Sequence, residues 1–321
     1  MGYGVNGHVG FSAQQSFKTA VTSFDYVPFI SETITTNVEE LIQENMLARF
    51  DEPESKPGIL WVGGDIAFEP HPTLLGHFLR GVTGQASSTA VDSVLSWQFV
   101  PKQTDFSDNC ALPPFTMEIF LDVGSSYQFT DVLIHTLTID INAGEITKCN
   151  ASVIGRVSSL MAKNTPTFGA GDPWTWDQAS VSFGGSANEL FETLSISIEN
   201  PIEGVPTLDN TQLYNRFKRN GFRMSKMAGT MDFSDQTEFN LFRLNSHQAV
   251  VITLTDATAI SSGRNNVVKL DMPKFRYVSY PIEASGPNRI SVSFEGKAMY
   301  DTTSNYAILP TLTNTRISYS N

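Results

Sequence analysis

Similar local patterns recur in the two halves of this 321-residue chain, and they recur in the same order. At an offset of 165, Phe29–Asn37 (FISETITTN) falls on Leu194–Ile202 (LSISIENPI), Gly64–Phe68 on Gly229–Phe233, and Pro72–Gly81 on Thr237–Ser246. At an offset of 141, His135–Ile141 falls on Arg276–Ile282 and Ser152–Arg156 on Ser293–Lys297. The change of offset places a net excess of 24 residues between Gly81 and His135. Any two β-rich halves align loosely, but a shared order of strand, long connection, strand, helix and strands reads as a tandem duplication. The boundary is expected in the turn-rich stretch Leu160–Gly171. The domains expected are residues 1–163, with an insertion around 85–131, and residues 174–301. A linker at 164–173 and a C-terminal arm at 302–321 complete the division.

Strand patterns dominate within each half. Phe115–Val123 alternates with Phe115, Met117, Ile119, Leu121 and Val123 on one face, and Leu194–Ile198 and Ile290–Phe294 do the same. Period-two alternation puts one face on a core and the other on something wetter. Val250–Leu254 and Leu137–Ile141 are further strands, with turns at Asn142–Gly144 and Ser285–Asn288. Two short helices are expected. Pro72–Arg80 has Pro72 in its first turn and Gly81 as its stop, and the second covers Thr237–Ser246. Val38–Arg49 reads equally as a helix or as a long loop. The fold class is therefore all-β with minor α.

Charge excludes one family of functions. The formal net charge is −12, with no basic cluster, whereas ordinary nucleic-acid binding needs Lys and Arg against phosphates. Met1–Val5 shows no basic residue followed by an apolar run, so no secretory signal is expected. No apolar run approaches the roughly 18 residues that cross a bilayer. Cys110 and Cys149 are the only cysteines, too few for a disulfide framework, so a reducing site of folding is expected. Catalytic signatures are missing as well. His71 lies near Asp65 and Glu69 without the spacing of a two-histidine metal site, and a solvated or capping role suits it better. There is no Gly-x-Ser-x-Gly elbow, and the pairs Gly63–Gly64 and Gly184–Gly185 fit no phosphate-binding loop. Cys149 lies in a strand pattern where a small buried residue is expected. Neither a cofactor nor catalysis is expected.

A resemblance gives this pattern a context. It is carried by Gly7–Phe11 (GHVGF), Thr19–Thr22, Val27–Glu32 (VPFISE), Glu40–Arg49 and above all Gly58–Gly76 (GILWVGGDIAFEPHPTLLG), followed by Gly81–Gly84. In the second half Val181–Gly185 and Leu194–Pro201 continue it. The chain resembles the tail tube proteins of non-contractile long-tailed phages, in the group with a duplicated tube domain. The likeness covers most of residues 5 to 300, and Gln85–Asp131 departs from it. It implies two tandem β-sandwich domains, each with one short flanking helix, lending strands to an inner β-barrel shared around a ring. Rings would stack into a tube, and three duplicated chains would give a ring pseudo-sixfold symmetry. The partners implied are copies of the chain itself, a tape-measure protein, and tail terminator and tip proteins. DNA would pass without specific binding, and no membrane is involved. The place implied is the virion tail, assembled in the host cytoplasm. The alternative is a carbohydrate-binding or adhesin-type β-sandwich, with Trp61, Trp97, Trp174 and Trp176 as candidate platforms, although core or interface burial is the simpler expectation for them.

Two sets of site residues follow. Glu118, Asp122 and Asp140, on the polar sides of alternating strands, are candidate bore-facing acids that would repel DNA. The connections Asn37–Pro57 and Pro201–Phe222 are too long for tight hairpins. In tube-like proteins such connections reach the neighbouring ring. Glu39, Glu40 and Glu44 of the first are expected to face Arg216, Lys218, Arg219 or Arg223 of the second across that contact.

Overall fold

In the computed structural model all residues are described except Met1, Leu47, Asp92, Ser93, Ala170, Ser262, Ala284, Ser285, Asn288, Ser320 and Asn321. The expected Ser285–Asn288 turn therefore has both ends outside the described residues. The first half contains β1 (His8–Ala13), β2 (Asp25–Val27), β3 (Phe29–Glu32), β4 (Thr35–Ile42), β5 (Ser55–Phe68), helix α1 (Leu75–Thr83), β6 (Ser87–Val91), β7 (Val94–Gln98) and β8 (Phe115–Phe120). It ends with β9 (Ser126–Asn142), β10 (Lys148–Gly155) and β11 (Val157–Met161). The second half contains β12 (Ala179–Phe183), β13 (Ser186–Ala187), β14 (Phe191–Glu199), β15 (Ile202–Val205), β16 (Arg216–Arg219) and β17 (Met224–Asp232). Helix α2 (Thr237–Arg243), β18 (Gln248–Ser261), β19 (Arg264–Ser279), β20 (Ser291–Ala298) and β21 (Leu309–Asn314) complete it. The all-β class with minor α holds.

Strand β9 joins two sheets. Its C-terminal part pairs with β10, while its N-terminal part pairs with β8 and β11, and β8 leads on to β1 and β2. Near the change of sheet stands Asp131, at the left-handed φ of 59° that a non-glycine residue rarely adopts. Its buried carboxylate accepts the Lys18 N–H at 2.6 Å and the Gln14 amide at 3.2 Å, and Arg156 lies 3.5 Å away. These partners hold a backbone conformation that would otherwise relax.

The same strand order appears in both halves. In the first, β3 and β4 pair with β5, β5 with β10, and β10 with β9. In the second, β14 pairs with β17, β17 with β20, and β20 with β19. Registers agree at the centre: Gly64 faces Val153, and Gly229 faces Phe294, as the offsets of 165 and 141 require. Both glycines are crowded by a passing chain. A Cβ would lie 2.5 Å from the Thr33 carbonyl oxygen at Gly64, and 2.1 Å from that of Thr193 at Gly229. In both places the next N–H donates to a threonine hydroxyl, Asp65 to Thr33 and Thr230 to Thr193, each at 3.0 Å. Thr33 thus corresponds to Thr193, an offset of 160. The match of Phe29–Asn37 with Leu194–Ile202 is out by five residues, because similar alternating runs align at several shifts.

Of the segment Val38–Arg49, residues 38–42 belong to strand β4, and the described residues beyond Ile42 form a loop. β4 and β5 form an exposed hairpin arm pairing Thr35–Ile42 with Ser55–Gly63, and β15 with β16 forms a second arm at the same place in the other half. Helix α1 starts and stops three residues later than expected. Gly84, at φ 98°, caps it, and Gly81 lies inside it against Ile134. The expected C-terminal arm includes β21, which pairs with β19 of the second half and β7 of the first. Beyond β21, Arg316 grips Asp25 through both guanidinium nitrogens at 2.9 and 2.6 Å. Tyr319 is buried against Trp97 and His77 and accepts a hydrogen bond from Asn314.

Gly76 makes room for that tyrosine, since a Cβ there would lie 2.1 Å from Cζ of Tyr319. Gly76→Ala should therefore cost about 1–3 kcal/mol from overpacking, and Tyr319→Ala about 3–5 kcal/mol from the lost aromatic. The double variant should lose less than the sum of the two, because removing the ring removes the clash. Urea unfolding of the four proteins measures this, and simple additivity would refute the contact.

Candidate functional site

Where the two halves meet, β9 pairs with β14, so that β5, β10, β9, β14, β17 and β20 form one continuous sheet. Strict alternation gives this sheet two unlike faces. Ile66, Val153, Ile139, Ile196, Met227 and Phe294 are buried on one face and belong to a single core. Paired across the other face are Asp65 with Ser152, Ser152 with Thr136, Lys148 with Asp140, Asp140 with Ser195, Ser195 with Ala228, and Ala228 with Glu295. Neighbouring rows add Asn150, Thr138, Ser197, Lys226 and Lys297, and the Thr136, Glu199, Thr230, Ser293, Asp232 and Ser291 positions. Six strands thus present a wall of small polar side chains with few large ones.

The charges on this wall are sparse and mostly negative. Asp65, Asp140, Glu199, Asp232 and Glu295 stand against Lys148, Lys226 and Lys297, five acids to three lysines. Two of the lysines are held by carboxylates: Lys226 lies 2.7 Å from Glu199, and Lys148 2.9 Å from Glu145. Mutual hydrogen bonds also fix neutral groups, as between the Thr193 and Thr230 hydroxyls at 2.9 Å, and from Ser152 to Asp65. Lys226 and Lys297 are directly paired across β17 and β20, whereas Lys148 stands against Asp140 of β9.

Of the acids singled out in the sequence, Asp140 lies on this wall, and Glu118 and Asp122 do not. Strand β8 is buried on both faces, so its alternation does not mark a wet side. Glu118 is fully buried and accepts hydrogen bonds from Ser126 (2.7 Å), Tyr26 (3.0 Å) and both the backbone and side chain of Asn164 (3.0 and 2.8 Å), with His8 at 3.4 Å. It ties the linker to β1, β2, β8 and β9. Asp122 lies past the end of β8 in a turn at φ 72° and accepts the Tyr3 N–H and the Asn6 amide. The alternating pattern could not reveal that residues 14–24 and 164 cover β8.

The arm residues divide in a similar way. Glu39, Glu40 and Glu44 are exposed on the first arm. Three of the basic residues expected to meet them, Lys218, Arg219 and Arg223, are engaged within the chain. Arg219 and Lys218 reach Asp105, at 3.1 and 3.6 Å, and Lys218 also bonds the Asp108 carbonyl. Arg223 bonds Asn200 and the Lys102 carbonyl, and Arg216 is half-buried in β16. The insertion is what occupies them: Asp105, Cys110 and Leu112 belong to it, and Phe217 packs with Cys110, Leu112 and Leu133 in a small second core.

Two unlike faces on one sheet, without a reactive cluster, match what comparison with known families finds. The family described as phage tail tube protein matches residues 4–298. The chain belongs to this family. A comparison with curated proteins found no match.

As a tail tube protein it has a structural role. Among the described residues no group of three or more His, Cys, Asp and Glu could hold a metal ion. No helix among the described residues is long and apolar enough to cross a membrane. Cys110 and Cys149 are buried free thiols, and burial pushes the Cys110 thiol up to about 12. His71 donates from Nδ1 to the Gly171 carbonyl, 2.7 Å away. Trp97 and Trp174 are buried, Trp61 is half-buried and Trp176 is exposed, so the four do not form one sugar-stacking platform.

Burial alone would raise the Glu118 carboxyl, but the hydrogen bonds from Asn164, Ser126 and Tyr26 outweigh it and hold it below its usual value. A depressed folded pKa gives stability that is full above the unfolded value of about 4.3 and lost as pH falls through the folded one. Glu118→Gln should lower the unfolding free energy by about 2 kcal/mol at neutral pH. The gap from wild type should shrink on acidification below about pH 4. Urea titrations at several pH values measure both, and a pH-independent gap would refute the assignment.

Proposed function

We propose that the polar wall lines the bore of a tail tube built from stacked rings of this chain, through which DNA passes to the host. The seam between β9 and β14 carries this reading. It joins the halves edge to edge in one sheet with a polar face throughout, and β3 and β4 pair only with β5 among the described residues. An edge left open in this way invites another chain, and a ring of such sheets closes into a barrel with no edge left. The common strand order and the paired Gly64 and Gly229 contacts support tandem duplication, with domains at 1–163 and 174–301. Two tube domains per chain then need three copies for six positions around the axis. Tape-measure, terminator and tip proteins would be its further partners in the virion.

Charge suits such passage. Every cation facing the duplex would act as a brake through phosphate contact, and an acidic wall acts over a Debye length, about 8 Å at physiological salt. Electron microscopy of the purified protein should show rings or tubes of uniform bore, with three chains per ring by native mass. Six chains per ring would overturn the duplicated arrangement, and a net positive bore would overturn the acidic wall. Wild-type protein should not retain duplex DNA. Reversing Asp140, Glu199 and Glu295 to Lys should create salt-sensitive binding, and unchanged behaviour would place those residues away from the bore.

A further inference from the structure

The second arm of each chain is not free: it rests on the first half of the same chain. The Leu60 N–H donates to the Gln212 carbonyl at 2.7 Å, the Gln212 amide donates to the Pro57 carbonyl at 2.6 Å, and Arg156 donates to the Tyr214 carbonyl at 2.7 Å. Leu60 and Leu213 form a parallel bridge. Pro57, Leu60 and Arg156 are therefore the seat of an arm.

The offsets of the repeat carry this seat to the second half. Pro57 and Leu60 map to Phe222 and Ser225 at 165, and Arg156 maps to Lys297 at 141. All three line one groove of about 810 Å³, floored by Met224, Met299 and Tyr300. No arm lies in it within the chain, and Phe222 is 92 % exposed and Tyr300 47 %. Lys297 stands exposed at its rim beside Lys226, which Glu199 already holds at 2.7 Å. The first arm carries the complementary surface. At its tip Met46 and Phe50 are fully exposed, among the acids Glu44, Asp51, Glu52 and Glu54. Exposed large apolar groups beside a charge pattern opposite to that of an apolar groove mark an interface.

We propose that the groove at Phe222, Ser225 and Lys297 receives the first arm of a second copy of this chain, seating Phe50 and Met46 against Met224, Met299 and Tyr300. This rests on the tube reading and deepens it. The contact within the chain joins neighbouring halves side by side, so its repeat joins neighbouring chains side by side around a ring. The first arm is then a lateral clasp, in contrast to the ring-to-ring contact suggested by its length.

The contact is head-to-tail, so it can be tested by complementation. Full-length Phe50→Asp lacks a competent arm, and full-length Phe222→Asp lacks a competent groove. Both sites are exposed, and circular dichroism and thermal melting should match wild type. Each variant alone should stay monomeric in sedimentation velocity under conditions where wild type assembles. An equimolar mixture retains one intact arm and one intact groove and should give a two-chain species without tubes. Assembly of either variant like wild type, or a mixture that stays monomeric, would overturn the proposal. Closed single rings that fail to stack would also overturn it and assign the arm to stacking. A wild-type protein that forms neither rings nor tubes would instead remove the tube reading itself.

Discussion

Backbone hydrogen bonding at the edges of a sheet governs this molecule. A strand edge carries unpaired N–H and C=O groups that must find partners or water. Where β9 meets β14 those groups are satisfied by the other half of the same chain, from the Thr193–Asn142 pair to the Glu199–Thr136 pair. Every larger feature depends on that seam. It makes one sheet of two, aligns their polar faces, and puts the apolar faces over a core drawn from both halves. Without it Leu137, Ile139, Leu194 and Ile196 would share no common layer.

Small residues make the sheet pack and curve as it does. Gly64 and Gly229 lie where a neighbouring strand crosses too closely for any side chain, and the threonine hydroxyl beside each takes up an N–H that the irregular crossing leaves over. On the polar face Ser152 bonds Asp65, Ser197 bonds Glu199, and the Thr193 and Thr230 hydroxyls bond each other.

Much of this architecture was legible in the amino-acid order. The alternation in Leu137–Ile141, Leu194–Ile198 and Ile290–Phe294 marked strands with one dry face, and the offsets of 165 and 141 carry the Gly64–Val153 pair onto the Gly229–Phe294 pair. Alternation says which side chains share a face, but not what covers that face. Glu118 therefore looked open although residues 126 and 164 enclose it. Similarly, nothing in the spacing of Arg216, Lys218 and Arg219 showed that Asp105, more than a hundred positions earlier, had already engaged two of them. The five-residue error at Thr33 has a simpler origin. A period-two pattern is nearly self-similar under small shifts, and only a hydrogen bond or a steric clash fixes the register.

The fit between Gly76 and Tyr319 bears on how the chain reaches its folded state. Helix α1 can form early, being local, but its outer face stays an empty hollow until a ring from 243 positions later arrives to fill it. Closing so long a loop costs little more entropy than closing a moderate one, yet it places the event late, because the intervening strands must be arranged first. During synthesis on the ribosome the first half would emerge with Trp97, Phe78 and the helix surface still unsealed. The latch of Arg316 and Tyr319 then works as a completion signal, since only a chain whose two halves have already met can place that ring.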